Sequence, residues 1–149
     1  ICAVRFGDNA KVLERDLRNE FHAAEIYRDD NGLGGFVDTI LSALSQQKTL
    51  LDLPLDIRAT AFQQKVWNAL RQIPVGETRS YSEVARVIGE PLATRAVARA
   101  CASNPVALVI PCHRVVREDG TLSGYRWGVQ RKEELLRGES AAARRADGS

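Results

Sequence analysis

Val106-Ala-Leu-Val-Ile110 is an unbroken apolar run fenced by Pro105 and Pro111, and it limits the fold more than any other short stretch. Five successive apolar residues cannot alternate between core and water, so all of them must be buried. The short length and the flanking prolines predict a buried strand. Directly after it comes Pro111-Cys112-His113-Arg114-Val115, which sets a thiol beside an imidazole at the strand's mouth. A thiol reacts as its thiolate, and a nearby base lets that form at neutral pH. Adjacent strand residues face opposite ways. His113 therefore reaches Cys112 only where the strand ends or kinks, or across a water, and Pro111 offers an irregular end. The competing reading makes Cys112 a small buried hydrophobe.

The chain has 149 residues, 44% hydrophobic and 27% charged, enough for one sizeable core or two small ones in a folded soluble protein. No stretch approaches the ~20 apolar residues of a membrane span. Cys2, Cys101 and Cys112 are odd in number and far apart. That weighs against a disulfide framework and a four-ligand zinc site, so the expectation is a reducing, cytoplasmic compartment with no metal and no cofactor. A net charge of +2 is too small to announce nucleic-acid binding, which would need basic residues gathered on one face. The absence of Met, and a start inside strand-like residues, predict a fragment of a longer protein.

The fold class expected is α/β in two parts. In residues 1–56, Ile1–Phe6 reads as a strand ending at Gly7-Asp8-Asn9, and Leu13, Leu17 and Phe21 as one face of a helix. A polar, Gly-rich loop over residues 29–35 precedes a second helix carrying Phe36, Val37, Ile40, Leu41 and Leu44. Nothing in this part suggests chemistry, and His22 reads as a surface residue. Leu51–Ile57 alternates but contains Pro54, which makes it an extended connector or edge strand and places a boundary there.

Residues 57–139 carry denser signals. Thr60-Ala-Phe-Gln63 is a capping box opening a helix with Phe62, Val66, Trp67 and Leu70 on one side. Ser80-Tyr-Ser-Glu83 is a second capping box, ahead of a short helix with Val84, Val87 and Ile88. A Gly89-Glu-Pro91 turn then leads into a third helix from Leu92 to Ala102, completing a helix-turn-helix pattern. That third helix bears Ala93, Ala96, Ala98, Ala100 and Ala102 with Arg95 and Arg99. Small side chains suit tight helix packing, and equally a close approach to something narrow such as the DNA minor groove, about 6 Å wide. Arginines on such a helix can meet phosphates or wedge into a base stack. Asn104-Pro105 stops it. After the cysteine, Arg117-Glu-Asp-Gly120 reads as the turn of a small hairpin, a wing, with Gly at positive φ. Gly124–Gly128 is a loop, Val129–Leu136 a final helix closed by Glu139, and residues 140–149 a disordered tail.

Pro111-Cys112-His113-Arg114-Val115-Val116, with Asn104-Pro105 upstream, resembles the O6-alkylguanine-DNA alkyltransferases. The similarity is strong from about Thr60 to Glu139 and extends to the N-terminal segment only in layout. Leu122-Ser-Gly-Tyr-Arg-Trp-Gly-Val129 is most similar to the C-terminal half of bacterial Ada-type adaptive response proteins. The resemblance implies a ribonuclease-H-like α/β scaffold domain, truncated here, followed by a winged-helix-like DNA-binding domain. It implies Cys112 as alkyl acceptor, His113 as the base that deprotonates it through a water, and Glu139 as the carboxylate polarising that histidine. Asn104 would bond to backbone around the active-site turn, and Tyr81 would protonate the guanine as the alkyl leaves. Arg95 matches a finger entering the duplex in place of the flipped base, on a helix where Thr94, Ala96 and Arg99 would also meet DNA, as would Tyr81. Tyr125 would wall the base pocket, with Val115 and Pro111 beside it.

The function so implied is direct-reversal repair. A monomer would bind duplex DNA by the minor groove, flip an O6-alkylguanine, and transfer its alkyl group irreversibly to cysteine, with O4-alkylthymine an open second substrate. Base flipping costs a few kcal/mol, least at a weakened pair. Attack on saturated carbon needs a soft nucleophile, and the thioether product would consume the protein. Two rival classes remain at this point. One is a helix-turn-helix DNA-binding regulator whose cysteine is structural. The other is a cysteine hydrolase, a class whose histidine usually comes from a distant segment, where this chain has only His22.

Overall fold

A computed structural model of the chain describes residues 1–46 and 53–148. The architecture is a helix-rich α/β arrangement with one small sheet. Helix α1 (Ala10–Glu20) starts where Asn9 accepts the backbone N–H groups of Lys11 and Val12, and α2 spans Asp30–Gln46. The loop expected over residues 29–35 is corrected: α2 already begins at Asp30. The Asp29 carboxylate accepts the Gly32 N–H at 2.8 Å, and a capped first turn offsets the roughly 1 kcal/mol that each helical glycine costs. The connector read at Leu51–Ile57 lies partly outside the described residues. From Leu53 onward it is irregular, and its Asp56 N–H bonds to the Ile1 carbonyl at 3.0 Å.

Helix α3 (Ala61–Arg71) and helix α4 (Tyr81–Val87) both open on the capping boxes read in the sequence, Thr60 with Gln63 and Ser80 with Glu83. Helix α5 covers Thr94–Ala102. α3 buries Val66, Trp67 and Leu70, and α5 buries Val97, Ala100 and Cys101. Burying each large apolar side chain is worth about 1.5–3 kcal/mol. The Trp67 indole N–H reaches the Ala100 carbonyl at 2.9 Å, so the small alanine lets α3 and α5 approach closely while the ring keeps its hydrogen bond.

The two-stranded sheet pairs β1 (Arg79–Ser80) in parallel with β2 (Val115–Val116), Arg79 opposite Val115 and Ser80 opposite Val116. Parallel neighbours need a long crossover, and α4, α5 and the segment after them supply it. The hairpin wing at 117–122 is corrected accordingly. The Arg117 N–H to the Thr121 carbonyl at 3.1 Å and the Gly120 N–H to the Arg117 carbonyl at 2.9 Å close a turn, with Gly120 at φ +80°, but among the described residues no strand follows it and β2 pairs with β1.

The apolar run is buried throughout, as its composition requires, but it is not a strand. Only Val106 makes a β-bridge, to Val4, and the chain then winds through tight turns with Leu108 at φ +69°. A buried Asn104 replaces a ladder partner. Its side-chain amide donates to the Ile110 carbonyl at 2.9 Å and its oxygen accepts the Val106 N–H at 2.9 Å. The disordered tail expected over 140–149 is also corrected. Helix α6 runs Val129–Asp147, and Ser140 to Ala143 are half-buried because Ala143 packs on the loop at Gly76. Among the described residues, Ile40 of α2 joins the buried cluster of α3–α5 and the apolar run, with Val4, Phe6, Leu44 and Leu135 of α6 packed against it, so both parts of the chain share one core. No described helix is long and apolar enough to cross a membrane.

Candidate active site

Cys112 opens a single 3₁₀ turn, Cys112–Arg114, wedged between the apolar run and β2. On a 3₁₀ turn, with three residues per turn, successive side chains are not on opposite faces as they would be on a strand. Cys112 is 4% exposed, and the Asn104 amide donates to its Sγ at 3.2 Å. Burial pushes the thiol's pKa up, while the Asn104 hydrogen bond and the charges of Lys132 and Arg126 pull the other way. Cys101 is pushed up to about 12, chiefly by burial, and it lacks the amide donor that favours a thiolate at Cys112. Cys2 is exposed. The Lys132 charge favours the anion of both buried thiols, and Cys112 has in addition the Asn104 amide and the charge of Arg126, although burial still dominates at each.

His113, the next residue, is 1% exposed. Its Nε2 lies 2.8 Å from Glu139 Oε1, reached from α6. Glu139 also takes a two-pronged contact from Arg114, Nε to Oε2 at 3.0 Å and Nη2 to Oε1 at 2.9 Å. Burial alone would raise the Glu139 pKa, but the hydrogen bonds from His113 and Arg114 outweigh it and hold it down at about 2. An ionised carboxylate can only accept, so Nε2 carries the imidazole proton and Nδ1 keeps its lone pair. Nδ1 is buried and makes no hydrogen bond. Burial also lowers the His113 pKa, against the pull of Glu139, which keeps the ring neutral and able to accept.

The remaining predicted residues fall into three places. Tyr81, half-buried at the first position of α4, is hydrogen-bonded to Ser123, and burial raises its pKa. Tyr125 packs edge-on against Trp127 at 5.2 Å; its hydroxyl is buried without a hydrogen bond, and burial drives its pKa far up. Val115 and Pro111 are buried on either side of the 3₁₀ turn. Arg95 and Arg99 are exposed one turn apart on α5, with Thr94 and Ala96 half-buried between that face and the core. The structure thus brings Asn104 to Cys112, and His113 to Glu139, while α5 stands as a separate outer face.

Sequence reasoning missed four side chains. Arg114 braces Glu139 and donates to the Ile73 carbonyl at 2.6 Å. Lys132, wholly buried, donates to the Val115 carbonyl at 2.6 Å and to Ser123 Oγ at 3.3 Å. Arg126 lies over Trp127, 5.6 Å from the ring centroid, and links the Asn104 carbonyl at 3.1 Å to Glu20 of α1 at 3.2 Å. Ser123 is the fourth. A signal for one of them was present: Lys132, Leu136 and Glu139 recur at four and three residues, one inward face of a helix.

The sequence matches the profile of the 6-O-methylguanine DNA methyltransferase DNA-binding domain over residues 61–141. It is 56% identical over 140 residues to the Escherichia coli bifunctional transcriptional activator/DNA repair enzyme Ada, covering 94% of this chain and 40% of that protein. The Mycobacterium bovis methylated-DNA–protein-cysteine methyltransferase is 47% identical over 115 residues, with 77% of this chain and 70% of that protein covered. Among solved structures, Mycobacterium tuberculosis OGT in complex with DNA superposes with a TM-score of 0.68 at 49% identity, over 73% of this chain and 68% of that one. The chain therefore spans less than half the length of its Ada relative and most of the length of the shorter methyltransferase.

Proposed function

The chain belongs to the 6-O-methylguanine DNA methyltransferase family, and from that membership we propose that it repairs DNA by direct reversal, moving an alkyl group from O6-alkylguanine onto Cys112 once per molecule. The observation that carries the reading is the buried thiol set directly before a neutral imidazole whose tautomer is fixed by an ionised glutamate.

The steps follow from the geometry. His113 Nδ1, with a free lone pair, takes the Cys112 proton across a water, and Glu139 stabilises the imidazolium that results. The Asn104 amide, already donating to Sγ, holds the thiolate in place. The thiolate attacks the carbon attached to O6; the C–S bond forms as the C–O bond breaks, and the electron pair stays on guanine. Tyr81 gives that anion a proton. The thioether has no hydrolytic exit, so each molecule acts once. Tyr125, its hydroxyl buried beside the cysteine loop without a partner, walls the pocket with Val115 and Pro111.

A base in duplex DNA must leave the stack to reach a buried thiol. α5 is the element suited to that task, with Arg95 entering the vacated position and Arg99, Thr94 and Ala96 against the minor-groove edge. In this reading the protein acts as a cytoplasmic monomer. Residues 1–56 form a ribonuclease-H-like α/β scaffold, and residues 57–139 a winged-helix-like DNA-binding domain whose wing is reduced to the turn closed by Arg117 and Thr121.

The test is direct. Incubation with a duplex containing O6-methylguanine is expected to raise the protein's intact mass by one methylene, with the adduct on the Cys112 peptide. Binding of that duplex with no change of mass would sink the reading in favour of a DNA-binding regulator.

A further inference from the structure

Lys132 is the largest side chain wholly inside the protein, and the transfer steps above give it no task. Removing an ammonium from water costs several kcal/mol, normally offset by a carboxylate close by. Among the described residues this ammonium touches no carboxylate. It donates to the Val115 carbonyl and to Ser123 Oγ, and Ser123 Oγ is itself hydrogen-bonded to the Tyr81 hydroxyl. A neutral donor could brace the Val115 carbonyl equally well. A neutral donor could neither favour the Cys112 anion as the Lys132 charge does nor deliver a proton along the line Lys132 Nζ, Ser123 Oγ, Tyr81 Oη.

We propose that Lys132, acting through Ser123, is the proton reservoir that restores Tyr81 as it protonates the departing guanine. The inference rests on the transfer reading and adds the origin of the leaving-group proton. When Tyr81 gives up its phenolic hydrogen, its O–H bond breaks and a phenolate is left in a half-buried site. Ser123 passes its hydroxyl hydrogen to that oxygen and takes one from Lys132. One N–H bond on Lys132 breaks, the O–H bond on Tyr81 is remade, Ser123 ends unchanged, and Lys132 ends as a neutral amine. Lys132 is thus a positioning and supplying residue, and Tyr81 remains the group that meets the substrate.

The surroundings favour the proton's travel in this direction. Burial raises the Tyr81 pKa, with the Ser123 hydrogen bond opposing, and the thiols of Cys101 and Cys112 and the guanidinium of Arg117 also face it. Burial lowers the Lys132 pKa, and charge on Cys112 or Cys101 opposes that lowering; the His113 ring also faces it. Both shifts act in the same direction, toward a phenol beside an amine and away from a phenolate beside an ammonium. Alkylation adds a second push. A Cys112 thiolate helps to hold the proton on Lys132, and its conversion to a neutral thioether withdraws that charge just when Tyr81 needs a hydrogen.

The experiment is single-turnover transfer from the O6-methylguanine duplex to the full chain, followed by intact mass from neutral to alkaline pH. The wild-type rate is expected to fall on the alkaline side as Lys132 loses its proton, below the ordinary 10.5 of a lysine. Ser123→Ala is expected to bind the duplex normally, transfer about tenfold more slowly and lose that alkaline limb. Ser123→Thr, which keeps a hydroxyl, is expected to retain both rate and limb. Lys132→Met should behave as Ser123→Ala does, and if it fails to fold the serine pair decides alone. Ser123→Ala transferring at the wild-type rate, or slowing with its alkaline limb in place, overturns the relay while leaving methyl transfer standing. A wild-type chain that binds the duplex and takes up no methyl overturns the transfer reading, and the relay with it.

Discussion

Glu139 is where the site's chemistry and the protein's stability meet. One carboxylate fixes the His113 tautomer and neutralises the buried Arg114 guanidinium, which also spans to the Ile73 carbonyl. Removing one partner from such a cluster leaves an uncompensated buried charge, at a cost of about 3–5 kcal/mol. Glu139→Gln is therefore expected to lower the unfolding free energy from urea titration by that much, and an unchanged value would show that Arg114 finds other compensation. The pH dependence has a definite sign. Glu139 is held at about 2 against an ordinary 4.5, so its contribution is complete above 4.5 and is lost as pH falls toward 2. His113, whose pKa burial lowers from 6.5, adds a contribution present above 6.5 and lost below it. Acid unfolding of the wild type is expected in both windows, and Glu139→Gln is expected to lose the lower one. At this scale the sequence was legible where neighbours in the chain share one local element, as Cys112 and His113 share a 3₁₀ turn. It was not legible where distant residues converge, because nothing in the spacing of Arg114, Ser123 and Lys132 shows which carbonyl or hydroxyl each will meet.

Among the elements, the helix starts were readable because a cap is a local bargain between a side chain and three following N–H groups. Thr60 and Ser80 form the bonds their spacing predicts, and the Ser80 cap sets Tyr81 at the head of α4. The apolar run misled because burial can be recognised from composition, whereas the partner of its backbone groups cannot. A side chain, Asn104, fills the role that a neighbouring strand would have filled, and the chain then turns so that Cys112 and His113 lie on one 3₁₀ turn. The end of α6 misled for a related reason. Ser140 to Ala143 lack apolar periodicity, yet small residues are what a close approach to the Gly76 loop requires. Gly76 sits at φ +84°, and a Cβ there would lie 2.7 Å from the Ala143 Cβ. Gly76→Ala is expected to cost about 1–2 kcal/mol from backbone conformation alone, with the clash in addition. In an Ala143→Gly background the clash disappears and the cost of Gly76→Ala should shrink toward the backbone part. Equal costs in both backgrounds, measured by urea unfolding, would mean that α6 does not pack there.

Across the molecule, charge is divided between two tasks. Around the first segment most cations are held in pairs: its own Arg5 on Glu20, Arg15 on Asp16, Arg18 on Glu14 and Arg28 on Asp30, and Arg126 and Arg131 of the second part on its Glu20 and Asp8. One of these pairs reaches the cysteine, since Arg126 also holds the Asn104 carbonyl while the Asn104 amide holds Sγ; α1 is thereby tied to the reactive atom. On α5 the exposed Arg95 and Arg99 form no ion pair with the described residues, so their charge is left for a partner. A net charge of +2 then conceals a basic face small enough to meet only a few phosphates. Each phosphate neutralised contributes about −0.9 to the slope of log K against log salt, so duplex binding is expected to show a slope of roughly −2 to −4. Arg99→Ala should reduce its magnitude by about one. Methyl transfer to Cys112 from the free modified base, which needs no phosphate contact, should be untouched by the same substitution. A slope far steeper than this, or one that Arg99→Ala leaves alone, would move the DNA-binding face away from α5 and toward the cations that the first segment holds in pairs.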